Sequence, residues 1–246
     1  MQLLGLTHKG MVRENNEDSF ACFFEGPRGL PNLAIVADGM GGHQAGEVAS
    51  RLAIDFFVEH IESCEQGAQD YLSLITDALR LANDKVYEKS LFNPEFFGMG
   101  TTFIACVVEG GKMHIAHVGD SRLYEINEGS IKLLTNDHTY ANEMVKAGIL
   151  TAQEGMVHPK RHALTKAIGI DRGVEVDAYT LPYTEGSLLL MCSDGLTEMV
   201  SEDEILQIVM SKEELGDIAE TLISRANEYG GHDNITVILG KAGESK

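Results

Sequence analysis

The sequence predicts an α+β fold, a four-layer α-β-β-α sandwich in which two antiparallel β-sheets carry pairs of helices on their outer faces. Three observations predict it. Short β-type runs occupy much of the chain, two joints between them have hairpin-turn composition, and the long helical patterns come in pairs rather than one per strand. Alternating βαβ units are absent, which disfavours a Rossmann-type arrangement. At 246 residues the chain fits one domain, 1–246, large enough to bury a sizeable core.

The elements follow in order. β-type runs at 19–24 and 33–37 come first. Two helical patterns succeed them: 47–61 places Val48, Leu52, Phe56 and Val58 at near-helical spacing, and 68–91 does the same with Leu72, Ile75, Leu79, Leu81 and Val86. Runs at 101–108, 112–118, 122–126 and 131–134 form the middle block. Glu109-Gly110-Gly111 and Asn127-Glu128-Gly129 read as hairpin connections, so these strands are antiparallel neighbours. The Phe96-Phe97-Gly98-Met99 cluster before them reads as core. The stretch 138–168 has a short helical piece (140–147), then polar sequence with Gly155 and Pro159, and reads as a flap. Strands at 174–181 and 187–192, helices at 203–210 and 213–229, and a last strand at 234–239 complete the chain.

Composition narrows the function classes. Acidic side chains number 38 and basic ones 19, a formal charge of −19. That excludes nucleic acid and anionic membrane surfaces, which need clustered Lys and Arg. Two bound dications would leave −15, so solubility accounts for most of the acidity. Cys22, Cys64, Cys106 and Cys192 are scattered, with no CxxC pair, and suggest neither a disulfide framework nor a zinc site. Residues 1–5 lack a basic stretch followed by a long apolar one, and no run reaches the ~18 apolar residues of a membrane span. A reducing, cytoplasmic setting and a monomeric state are the expectations.

The chemistry lies in acidic residues at strand ends. The run Leu-Ala-Ile-Val-Ala delivers Asp38-Gly39, Ile-Ala-His-Val-Gly delivers Asp120, and Leu-Leu-Leu-Met-Cys-Ser delivers Asp194-Gly195. Asp233-Asn234 opens the last strand, and Asn16-Glu17-Asp18 opens the first run. Singly, each is a common turn. Five beside apolar strands can converge on one rim, where their repulsion calls for a cation. Oxygen-only ligands favour Mg²⁺ or Mn²⁺ over zinc. Asp38-Gly39-Met40-Gly41-Gly42-His43 lets backbone approach an ion or a phosphate, while Glu47 just after it suits a helix N-terminus. His114 and His117, three apart in a strand, face opposite sides and cannot chelate together. His162 of the flap is a possible substrate contact.

These segments resemble the metal-dependent protein phosphatases of the protein phosphatase 2C type, in their compact bacterial form. The matching stretches are Arg13-Glu-Asn-Asn-Glu-Asp18, Asp38-Gly-Met-Gly-Gly-His43 with Gly46-Glu47, Gly100-Thr-Thr102, Val118-Gly-Asp-Ser-Arg122, Leu164-Thr-Lys-Ala-Ile-Gly169, Cys192-Ser-Asp-Gly195 and Gly231-His-Asp-Asn234. The resemblance implies that Asp38 bridges two Mn²⁺ or Mg²⁺ ions, that the Gly39 carbonyl binds the second, and that Asp194 and Asp233 complete the first site. It implies that Glu17 and Asp18 surround the second ion, and that Asp120 with Asp194 forms a third, weaker site. Arg13 matches the residue that meets the substrate phosphate, a task suited to a guanidinium. The implied reaction is hydrolysis of phosphoserine or phosphothreonine by a water shared between the cations, without a phosphoenzyme, in opposition to a serine/threonine kinase. One departure stands out. Animal members carry His directly after the Asp-Gly, where this chain has Met40, which cannot donate a proton; His43 is a candidate replacement, as is a metal-bound water. Two other readings remain: a partner-binding module with a decayed site, which would have lost aspartates this chain keeps, and a hydrolase of small phosphoesters.

Overall fold

The computed structural model describes residues 1–41, 45–64 and 70–241. In chain order the elements are β1 (Gln2–His8), β2 (Asp18–Glu25), β3 (Pro31–Met40), α1 (Ala45–Ser63), α2 (Tyr71–Phe92), β4 (Gly100–Thr101), β5 (Phe103–Glu109), β6 (Lys112–Val118), β7 (Arg122–Asn127) and β8 (Ser130–Leu133). Then come α3 (Tyr140–Lys146), α4 (Ala152–Met156), β9 (Asp177–Pro182), β10 (Leu188–Cys192), α5 (Asp194–Thr197), α6 (Glu202–Met210), α7 (Leu215–Glu228) and β11 (Ile235–Lys241). One sheet has the order β1-β11-β10-β7-β8. The other has β2-β3-β5-β6-β9, with β4 pairing to β3. Every pairing is antiparallel.

Strand alternation creates the layers. Along β3, Leu33, Ile35 and Ala37 face a cluster shared with α1 and α2, whereas Ala34 and Val36 face the other sheet. Val36 shares a cluster there with Ile104 and Cys106 of its own sheet and with Leu123, Leu189, Met191 and Ile238 of the opposite one. A third cluster joins Tyr124, Leu190 and Val237 to Leu196, Ile205, Leu222 and Ala226 of the carboxy-terminal helices. Three apolar seams therefore separate four layers, helices outside and sheets within. Each fully buried Leu, Ile or Phe in these seams contributes roughly 1.5–3 kcal/mol of transfer free energy.

The helices form where the periodicity places them. α1 turns Ala45, Ala49, Ala53 and Phe57 onto its sheet, and the small residues let the helix approach closely. α7 buries Ile218, Leu222 and Ala226 at i, i+4, i+8. The two anticipated hairpins are present. Glu109 pairs with Lys112 across Gly110-Gly111 (φ +57° and +73°), and Asn127 pairs with Ser130 across Glu128-Gly129. His114 and His117 do lie on opposite faces. His114 meets Thr180 and Tyr71 on the helix side, and His117 stacks on His138.

Four expectations need correction. The amino-terminal strand β1 was not anticipated, although it covers the edge of β11 over seven residue pairs. The run 101–108 is split between β4 and β5 at Thr102, because Thr102 bonds to Asp38. Of the Phe96-to-Met99 cluster, Met99 is buried and Phe96 packs on the core, but Phe97 is 79% exposed. The flap region contains two short helices rather than one. α4 begins with a capping box, in which Thr151 and Glu154 bond reciprocally.

Candidate metal centre

The acidic strand ends converge at one edge of the sandwich. Antiparallel pairing sets the start of β2 beside the end of β3, so Asp18 and Asp38 are register partners. Likewise the end of β10 adjoins the start of β11, which brings Asp194 near Asp233. Asp120 arrives from the turn between β6 and β7. Asp38 feels the charges of Asp18, Asp194, Asp120 and Asp233 together. All five therefore occupy one electrostatic neighbourhood, built from both sheets.

Backbone and hydroxyl contacts hold these residues in place. The Asp38 N–H donates to Thr102 Oγ1 (2.9 Å), and the Asp38 carbonyl accepts from the Thr102 N–H (2.8 Å) and Thr101 Oγ1 (2.9 Å). Asp18 Oδ2 accepts hydroxyl bonds from Ser193 (2.8 Å) and Thr236 (2.6 Å), both on the opposite sheet's side. Asn234 organises the loop beside them. Its Oδ1 accepts the Glu17 N–H (2.8 Å), and its Nδ2 donates to the carbonyls of Lys9 and Asn15 (2.9 Å each). Gly39 is required by crowding: a Cβ there would land against the carbonyl oxygens of Gly46 and Glu17, and the Gly39 N–H already donates to Glu17 O at 3.1 Å.

The electrostatics describe a site that wants positive charge. Burial, then Asp18, Asp194, Asp120 and Asp233, pushes the Asp38 carboxyl well above the carboxylate range. Asp120 rises likewise through burial and then Asp194 and Asp137. Asp18 is pushed up to about 7 by burial, against the opposing hydroxyls of Thr236 and Ser193. Asp194 is pushed up to about 7 by burial and then Glu198 and Asp233. Two oxygens test the fit of a cation directly. Asp18 Oδ1 and Asp194 Oδ1 are buried and have no hydrogen-bond partner among the described residues. Acceptor-only oxygens left in that state suit a hard divalent ion, which accepts several carboxylates at once. The residues therefore fit Mg²⁺ or Mn²⁺.

Arg13 reaches the rim from the loop between β1 and β2. Its Nη2 lies 2.6 Å from Asp233 Oδ2, with half of the guanidinium side chain exposed. Glu17 turns towards the Gly46 N–H at the start of α1, where the helix dipole favours a carboxylate; burial nonetheless holds its pKa above the ordinary value. His43 lies outside the described residues. Met40 is described, half-buried, with its methyl group near Gly100.

Glu198 was not anticipated. It follows Asp194 by one helical turn, adds its own charge to the burial that pushes that carboxyl's pKa up, and lies 2.6 Å from His162 Nδ1 of the flap. His162, Asp194 and Glu198 thus present ligand-type atoms within 4.8 Å of one another. The only signal in the sequence was the i, i+4 spacing of two acids, which is common on solvated helices.

Fold and rim together define a hydrolase-like class: a double-sheet sandwich whose edge gathers buried carboxylates beside a guanidinium. Comparison with known proteins makes the class specific. Residues 8–239 match the family model described as Protein phosphatase 2C. The chain is 37% identical over 235 residues to the serine/threonine phosphatase stp of Listeria monocytogenes, covering 95% of this chain and 92% of that one. The crystal structure of the serine/threonine phosphatase Stp1 from Staphylococcus aureus superposes with a TM-score of 0.90 at 32% identity, covering 98% and 95% of the two chains. The catalytic domain of the serine/threonine protein phosphatase PstP, in complex with two manganese ions, superposes at 0.83 with 32% identity, covering 97% and 96%. The chain belongs to the protein phosphatase 2C family, and it is an enzyme of the protein serine/threonine phosphatase type.

Proposed function

We propose that this chain hydrolyses phosphoserine and phosphothreonine in proteins with two cations held by Asp38, Asp194, Asp233 and the Gly39 carbonyl. Glu17 and Asp18 lie around the second ion, and Asp120 with Asp194 offers a third position. The observation that carries the reading is the pair of buried oxygens, Asp18 Oδ1 and Asp194 Oδ1, without a hydrogen-bond partner among the described residues and within a rim of mutually repelling carboxylates. When bound, the cations supply an acidified water near neutral pH and positive charge for the phosphoryl oxygens.

The chain's own residues do the rest. Arg13, exposed and held at the rim by Asp233, presents its remaining N–H donors to the incoming phosphate. Asp38, locked by Thr101 and Thr102, keeps its carboxylate in place without reorganisation. His43 is the candidate donor of a proton to the leaving alkoxide, since Met40 has none to give. Either Mn²⁺ or Mg²⁺ suits the all-oxygen donor set; the two manganese ions of PstP support the former. The phosphoprotein substrates imply an opposing serine/threonine kinase. Four free cysteines support a reducing, cytoplasmic setting, and the charge of −19 supports a monomer. Among the described residues no helix is long and apolar enough to cross a membrane.

The test is hydrolysis of p-nitrophenyl phosphate and of a phosphothreonine peptide with Mn²⁺ and after chelation. The expected result is activity with Mn²⁺ only, and a loss on the order of 10²–10³-fold or more in Asp38→Asn. Activity that survives thorough chelation overturns the metal reading. Faster turnover of free nucleotides than of phosphoproteins overturns the substrate class.

A further inference from the structure

Asp120 stands on the turn Gly119-Asp120-Ser121, and that turn is gripped from two sides. Gly119 has φ +110°, and a Cβ there would meet Thr102 Cβ at 2.6 Å, so the turn sits directly on the Thr102 side chain. Ser121 Oγ bonds Thr102 Oγ1 (2.7 Å), the same oxygen that accepts the Asp38 N–H. On the other side lies His138, 1% exposed. Its Nδ1 accepts the Gly119 N–H (3.0 Å), and its own N–H donates to the Gly119 carbonyl (2.8 Å). Both polar groups of the Gly119 backbone therefore end on one histidine.

The other contacts of that histidine show why it is His. Accepting at Nδ1 leaves the proton on Nε2, which faces Asp177 Oδ2 at 3.2 Å. Asp177 on β9 is in turn approached by Lys166 (3.7 Å), which pairs with Glu175 (2.8 Å). The ring stacks on the fully buried His117, centroids 4.9 Å apart. The His138 carbonyl accepts the Thr165 N–H (2.8 Å), so the two ends of the flap are joined at this residue. A carboxylate, an imidazole and a backbone N–H thus follow one another from the edge of one sheet to the turn that presents Asp120. Outer partners of this kind fix the orientation of a cation-binding group.

We propose that His138 is a positioning residue: through the Gly119 backbone it sets the placement of Asp120 for cation binding, and it ties that placement to the root of the flap. The inference rests on the reading of Asp120 as a cation ligand. Without the Nδ1 acceptor, a buried N–H on a glycine turn is left unpaired, and the turn relaxes towards another partner, carrying Asp120 with it.

The experiment is Mn²⁺ binding to the full chain without substrate, followed by the electron paramagnetic resonance signal of free Mn²⁺. Wild type is compared with Asp120→Asn, His138→Phe and His138→Asn. Asp120→Asn is expected to remove the weakest Mn²⁺. His138→Phe, which keeps the ring stack but has no acceptor, is expected to weaken that same ion by roughly 10–100-fold while leaving the tighter ions within about threefold. His138→Asn, whose Oδ1 replaces Nδ1, is expected to return binding to within about threefold of wild type, a rescue that a merely structural role does not predict. Unchanged Mn²⁺ binding in His138→Phe, beside a loss in Asp120→Asn, overturns the inference alone. Unchanged binding in Asp120→Asn overturns the ligand role of Asp120 and the inference with it. Should His138→Phe not fold, His138→Gln reaches towards Asp177 but offers no acceptor near Gly119. Equal weak-site affinity in the Asn and Gln variants overturns the proposal.

Discussion

Acidification of the wild type beside His117→Phe isolates the effect of one buried charge. His117 is fully buried, and among the described residues neither ring nitrogen has a hydrogen-bond partner of good geometry. Burial, then the neighbouring His138, pushes its pKa down to about 3; Asp177 and the Ser121 backbone pull the other way, and Lys146 lowers it slightly. The folded value lies below the unfolded ~6.5, so the unfolded chain takes the proton first. The stability contribution is complete above pH 6.5 and is lost as the pH falls towards 3. The whole window amounts to roughly 5 kcal/mol, of which about 2 kcal/mol falls between pH 6.0 and pH 4.5. Asp18 and Asp194, pushed up to about 7, act in the opposite sense, since a raised carboxylate pKa gives back stability as the pH falls through 7. Both proteins carry those aspartates, so their effect cancels in the difference. Phe preserves the stack on His138 and cannot be protonated. Urea melts followed by circular dichroism at pH 6.0 and 4.5, with chelator in both samples, should show the wild type losing about 2 kcal/mol more than the variant. Losses that agree within about 0.5 kcal/mol would refute the argument.

Metal removal gives a second expectation. Mn²⁺ at 100 times its dissociation constant should stabilise the protein by about 2.7 kcal/mol, read as a rise in Tm that chelator reverses. A Tm indifferent to Mn²⁺ would contradict the carboxylate rim as a cation site. Arg13→Ala should raise KM for a phosphothreonine peptide by on the order of 10-fold or more, and Arg13→Lys should recover only part of it, because a point charge does not reproduce two parallel donors. Steady-state kinetics with equal KM for all three proteins would exclude a phosphate contact. Gly39→Ala should cost at least about 2 kcal/mol in a thermal melt, since its methyl group collides with backbone carbonyls rather than with movable side chains.

Much of this architecture could be read from local pattern. The hairpins announced themselves because glycine at positive φ is chemically required in such turns. The first helix pair did so because Val48, Leu52 and Phe56, and Leu72, Ile75, Leu79 and Val86, recur at near-helical spacing, although α1 buries the adjacent Ala49, Ala53 and Phe57 and leaves Val48, Leu52 and Phe56 half-buried. β1 was missed for the converse reason. Gly5 interrupts its run, and the glycine is there because the Phe20 ring fills the space a Cβ would take, a fact of tertiary packing. The capping box at Thr151 and Glu154 was legible but lay hidden in a stretch read as loop. At the rim, the strand-end aspartates were visible because each terminates an apolar run. Glu198 was invisible because only the fold turns it from a solvated helix residue into the partner of Asp194 and His162.

The hydroxyl grip on Asp18 has a mechanical side. Asp18 begins a strand of one sheet, while Ser193 and Thr236, which bond its Oδ2, belong to the end of β10 and the start of β11 in the other. Away from the rim the sheets are held mainly by apolar packing among residues such as Val36, Ile104, Leu189 and Ile238, which resists separation but tolerates sliding, with the Tyr179 hydroxyl bond to the Leu134 carbonyl (2.8 Å) as a polar link. The rim is the rivet that forbids the slide. Turnover is therefore a gauge of alignment between the sheets, and a core substitution far from any aspartate can silence the enzyme by shearing the rivet while the chain remains folded.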